Sequence, residues 1–92
     1  MGLESVELFL ALEAEFGIGM PNQIAHGFRT VGDLADFVAL AAGQRAAELG
    51  QPHPDEAALR SRVADVIAEE LGVRRELVTP DAELVRDLAL DS

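Results

Sequence analysis

Residues 55–72, DEAALRSRVADVIAEELG, decide the fold class. Asp55 sets a side-chain acceptor just ahead of an apolar run, as a helix N-terminus requires. Leu59, Val63, Val66, Ile67 and Leu71 then recur at helical spacing and share one side of the rod. Gly72 closes the run with a residue free to turn left-handed. Upstream, QPHP at 51–54 interrupts the pattern, because its prolines remove backbone donors and push the residues before them out of the helical region.

The segment before that break, RTVGDLADFVALAAGQRAAELG, has Thr30 as an N-cap and Asp33 as its reciprocal partner. Leu34, Phe37, Val38 and Ala41 lie on one face, and beyond Ala41 the stripe thins into alanine, so the helix outruns its core. IGMPNQIAHGF is punctuated by Gly, Pro and Asn, with Ile24-Ala25 fitting a loop or a single helical turn. LESVELFLALEAEFG, from Leu3, carries Val6, Phe9, Leu10 and Phe16 with Glu4, Glu7, Glu13 and Glu15 between them, and Gly17 caps it. The last stretch, VRRELVTPDAELVRDLALDS, is irregular. Its Val73, Leu77, Leu84, Leu88 and Leu90 are too many large apolar residues for a solvated tail. With no useful β-alternation, the expectation is an all-α bundle of three main helices and a short one. Its expected core is Val6, Leu10, Phe16, Leu34, Phe37, Val63, Ile67, Leu71, Leu84 and Leu88.

Ninety-two residues, about half of them apolar, suit one domain over 1–92. Seven basic against seventeen acidic residues give a net charge of −10, which repels nucleic acid and anionic membrane and favours a basic partner. The absence of cysteine excludes a disulfide and a thiolate nucleophile, so sulfur chemistry would have to arrive on an attached group. No apolar run is long enough to span a membrane and no basic leader opens the chain, so a cytoplasmic protein is expected. His26 and His53 lack ligand spacing to carboxylates, and no metal site is expected. Exposed carboxylates on one surface helix have nothing to separate their pKa values, so an enzyme is not expected either.

Two stretches resemble the acyl carrier protein family, small acidic four-helix proteins that carry acyl groups as thioesters on a 4'-phosphopantetheine arm. VADVIAEELGVRRELVTPDAELVRDLALDS resembles the first half of such a carrier: helix I, the long loop and the Asp-Ser motif whose serine takes the arm. LESVELFLALEAEFGIGMPNQIAHGFRTVGDLADFV resembles the second half, from helix II to the start of the last helix. They stand in reverse order. Placing Ser92 before Leu3 restores the family spacing of serine, leucine, acid, variable residue and Val-Glu-Leu, so the resemblance implies a circularly permuted carrier. Residues 3–41 then run from helix II to the last helix, 42–54 join the old termini, and 55–92 hold helix I, the long loop and the motif. A piece spanning two tandem carriers would give the same order.

On this resemblance Ser92 is the phosphopantetheine attachment site and has no catalytic role. Asp91 orients the transferase and its metal, while Leu3 and Val6 supply the apolar contact after the serine. Glu4, Glu7, Glu13 and Glu15 form an acidic docking face for a phosphopantetheinyl transferase and for basic-surfaced synthase enzymes such as ketosynthase and acyltransferase, in fatty-acid or polyketide assembly. Ser5 imitates the motif, but lies nearly one helical turn inside helix II. The alternative function is an unmodified carrier-fold scaffold or interaction protein, open to domain swapping. A monomer is favoured over a domain-swapped dimer, because the joining segment is long enough to fold back.

Overall fold

The computed structural model describes residues 3–20 and 27–90, with side chains from Val6 onward in the first helix. Helix α1 spans Leu3–Phe16, α2 Val31–Glu48 and α3 Glu56–Leu71, followed by a 3-10 turn at Arg75–Leu77. The described residues are helical and irregular, as expected of a small carrier-like bundle; an isolated antiparallel bridge pairs Thr30 with Glu83. The short turn expected around Ile24-Ala25 lies outside the described residues.

Helix α3 is central and packs on both α1 and α2, which touch each other much less. Its ends form as the sequence dictates. The Asp55 carboxylate accepts from the Ala57 and Ala58 N–H groups at 3.1 and 3.5 Å. At the other end, the Val73 N–H closes a reverse turn on the Ala68 carbonyl at 3.1 Å. Leu59, Val63, Val66 and Ile67 are buried, whereas Leu71 is only partly so.

Helix α1 turns a different face to the core from the one its sequence led us to expect. Leu8 and Leu12 are fully buried, while Val6 and Leu10 are 51% and 58% exposed. Apolar residues occur nearly all the way round this helix, so two stripes one half-turn apart compete, and periodicity alone does not choose between them. Contact with α3 selects the Leu8–Leu12 stripe, flanked by partly buried Phe9, Ala11 and Phe16. Phe28 bridges α1 to α2, with ring centroids 6.3 Å from Phe9 and 5.5 Å from Phe37. Phe37 is therefore half-buried at the bundle edge, and Phe16 likewise packs against the core without lying inside it.

Helix α2 runs to Glu48, through part of the expected joining segment, because Ala42 and Ala46 are small enough to lie buried. Gly50 (φ +67°) ends it, with the Gln51 N–H on the Ala46 carbonyl at 2.8 Å. His53 lies over Gly43, where a methyl group would come 2.7 Å from Nε2. The non-helical joint is thus short, and it returns the chain so that α3 packs on α1 and α2 of the same molecule.

This core assigns opposite costs to two aliphatic residues. Ile67→Ala is expected to cost about 2–5 kcal/mol through lost burial and a residual cavity. Val6→Ala is expected to stay within about 0.5 kcal/mol. Urea midpoints of the two variants check this, and a large shift for Val6→Ala would place the α1 core on the other face.

Candidate functional site

The segment after α3 is irregular yet firmly held. Arg75 reaches back to α3, where its Nε donates to Asp65 at 2.7 Å and its terminal nitrogens donate to the Ser61 and Val78 carbonyls at 3.4 and 3.3 Å. Val78, Ala82, Leu84, Leu88 and Leu90 enter the core, whereas Leu77 and Val85 stay exposed.

The start of α2 supplies the next set of anchors. The Val31 N–H donates to the Ala82 carbonyl and the Gly32 N–H to the Pro80 carbonyl, both at 2.9 Å. Thr30 and Asp33 form the expected capping box: Asp33 N–H to Thr30 Oγ1 is 3.1 Å, and the Asp33 carboxylate accepts from the Thr30 and Arg29 N–H groups at 3.2 Å. Gly32 permits the close approach, since a Cβ there would sit 3.1 Å from the Pro80 oxygen.

Leu84 links this anchor to the end of the described chain. Its N–H donates to the Arg29 carbonyl at 2.9 Å, and its own carbonyl accepts the Leu90 N–H at 2.8 Å. Between them, Asp87 accepts the Glu83 N–H at 2.8 Å, and Ala89 adopts a left-handed φ of 59°. A non-glycine residue in that region is strained by about 1–2 kcal/mol. The strained turn lies just before Asp91 and Ser92, which fall outside the described residues.

The outer face of α1 is the second part of the site. Val6 and Leu10 stand one helical turn apart, both exposed, and Glu7 is exposed beside them. Glu13 and Glu15 have partners within the chain. Glu13 Oε2 accepts the Met20 N–H at 2.7 Å, and Glu15 receives a two-pronged bond from Arg62 at 2.9 and 3.2 Å. Leu3 and Glu4 lie in the first turn of α1 and their side chains are outside the description, as is that of Ser5. Among the described residues no cluster of His, Asp and Glu is placed to hold a metal ion, and no helix is long and apolar enough to cross a membrane.

Arg62, Arg75 and Asp87 were not singled out from the sequence. The first two act across 47 and 10 residues respectively, distances at which local pattern carries no signal. Asp87 four residues after Glu83 is a local arrangement, legible only once a turn there is known.

Over 38 residues, 41% of its length, the chain is 47% identical to an acyl carrier protein of Syntrophobacter fumaroxidans, covering 47% of that protein. It is 50% identical over 36 residues to an acyl carrier protein of Thermosynechococcus vestitus, covering 44% of it. The chain's relatives are acyl carrier proteins. A mitochondrial acyl carrier protein of Saccharomyces cerevisiae is 43% identical over 37 residues, which is 30% of its length. The chain spans about half the length of the two bacterial relatives. No family model and no solved structure matches it.

Two carboxylates of the site are held below their usual values. The Arg62 hydrogen bond, aided by its charge, lowers Glu15 from the ordinary 4.5. The Thr30 and Arg29 backbone N–H groups lower Asp33 from 3.8. A depressed folded pKa means that the unfolded chain takes up the proton first. The contribution is therefore complete above the ordinary value and fades as pH falls through the folded one. Glu15→Gln should be less stable than the parent at neutral pH and converge with it under acid. Urea midpoints across the range below 4.5 follow this, and a gap independent of pH would show that the ion pair contributes nothing.

Proposed function

We propose that this chain is a phosphopantetheine-bearing acyl carrier whose two family halves stand in exchanged order, with Ser92 as the attachment residue. The observation that carries the reading is the joining of the halves in one core. Leu88 and Leu90, which lead to Asp91-Ser92, belong to the same apolar cluster as Leu8 and Leu12 of α1. A match confined to about two-fifths of the chain and half of each bacterial relative supports it as well. A collinear comparison can align only one half when the order is reversed.

In this reading Ser92 precedes Leu3 in the family order, and the positive end of the helix that begins at Leu3 favours the phosphodiester of an attached arm. The arm would supply the thiol that the chain lacks. The hydrogen bonds of Leu84 fix the segment that presents the hydroxyl, while Asp91 orients the transferase. Leu3 and Val6 offer an apolar footing next to the serine. Glu4, Glu7, Glu13 and Glu15 draw basic partner enzymes of fatty-acid or polyketide assembly to α1 by long-range attraction. Glu7 has the freest charge of those described, because Glu15 is shared with Arg62.

Mass spectrometry after incubation with coenzyme A and a broad-specificity phosphopantetheinyl transferase tests the assignment. The parent chain and Ser5→Ala are expected to gain the mass of one arm, and Ser92→Ala to gain none. No gain on the parent chain, or a gain abolished by Ser5→Ala, would overturn it.

A further inference from the structure

The chain consists of two pieces that stabilise each other but are joined by very little. Residues 3–48 contain α1 and α2, which have little contact of their own, and residues 56–90 contain α3 and the loop. Both pieces are amphipathic, and each covers the other's apolar surface. Polar contacts cross the same boundary. Arg62 of α3 binds Glu15 of α1 at 2.9 Å, and Arg60 of α3 binds Asp36 of α2 at 2.6 Å. The Val31, Gly32 and Leu84 backbone bonds also pair residues of the first piece with the second.

The joint is the residues from Leu49 to Asp55, which reach at most about 20–25 Å. Its closed form depends on the left-handed turn at Gly50; its residues from Leu49 to His53 are exposed, with the His53 ring lying over Gly43. A groove of about 670 Å³ remains beneath it, lined by Phe16, Ala46, Leu49, Pro52, Pro54 and Leu59. Opening the joint sacrifices the His53–Gly43 contact and the Gln51–Ala46 hydrogen bond, while every inter-piece contact can be remade with another molecule.

We propose that, when the joint opens, a second copy of this chain covers each half-core that the closed monomer covers for itself, in a dimer formed by reciprocal exchange of residues 56–92 about the Gly50 hinge. The closed monomer and the exchanged dimer bury the same surfaces and differ only at the joint, so concentration and hinge geometry set the balance between them. This is independent of the carrier assignment, because it rests on topology and contacts alone.

The test uses the pair that crosses the boundary. Glu15→Arg places two arginines together in a closed monomer, and Arg62→Glu places two glutamates together. In an exchanged heterodimer of the two variants, the two introduced side chains meet as an ion pair of reversed polarity in one lobe, and the native Glu15–Arg62 pair forms in the other. The two full-length variants are unfolded in urea, mixed at high concentration and refolded by dialysis at low salt; light scattering and native mass spectrometry then read the product. The expected result is a heterodimer of one copy of each, well above the dimer fraction of either variant alone. A mixture that stays monomeric, or dimers no more abundant in the mixture than in the separate variants, would overturn the proposal. Removal of Gln51, Pro52 and His53 supplies a second readout, since the shortened joint should shift the chain strongly to dimer. A folded, monomeric shortened chain would equally overturn it.

Discussion

The backbone amides at the start of α2 have no partners within their own helix, and the way they are satisfied fixes the position of the second half of the molecule. Thr30 provides for Asp33 with its hydroxyl, and for Leu34 with its carbonyl at 3.3 Å. The remaining two, Val31 and Gly32, are met by carbonyls of the loop some fifty residues later in the chain. Buried amides left unpaired would cost about 1–3 kcal/mol each. The loop is therefore held by the same groups that the helix needs covered. Once Pro80 and Ala82 are placed, Leu84, Leu88 and Leu90 reach the core with little freedom left.

That anchor connects packing to function. An irregular segment rich in leucine can bury its side chains only if its backbone polar groups also find partners. Here they find Arg29, Val31 and Gly32 on one side and the Arg75 guanidinium on the other. The outcome is an ordered approach to Asp91 and Ser92 built without regular secondary structure. Strain at Ala89 is tolerated because the Leu84–Leu90 bond and the burial of both leucines constrain the turn from either side.

Much of this was legible in the sequence where the signal is local. The Asp55 cap, the Leu59–Val63–Ile67 stripe and the Thr30–Asp33 capping box are patterns within one or two turns, and each is found as read. So is the burial of Leu84, Leu88 and Leu90, which followed from their being too apolar for a tail, whereas Leu77, read in the same way, is exposed. The phase of α1 was not legible. With Leu and Val on both sides of that helix, only the shape of α3 selects Leu8 and Leu12 and leaves Val6 and Leu10 outward. The roles of Arg62 and Arg75 were out of reach for a similar reason, since tertiary packing creates their partnerships. For the site, the sequence supplied a resemblance and a candidate serine, and the structure adds the restraints on the segment leading to it.

Native-state amide hydrogen exchange tests the central claim most directly, read at Val31, Gly32, Leu84 and Leu90. If loop and helix satisfy each other, these four amides should exchange as slowly as those in the middle of α3, by the same global opening. Exchange at the rate of exposed loop amides, with α3 still protected, would show that the loop is not anchored to α2 and contradict the account.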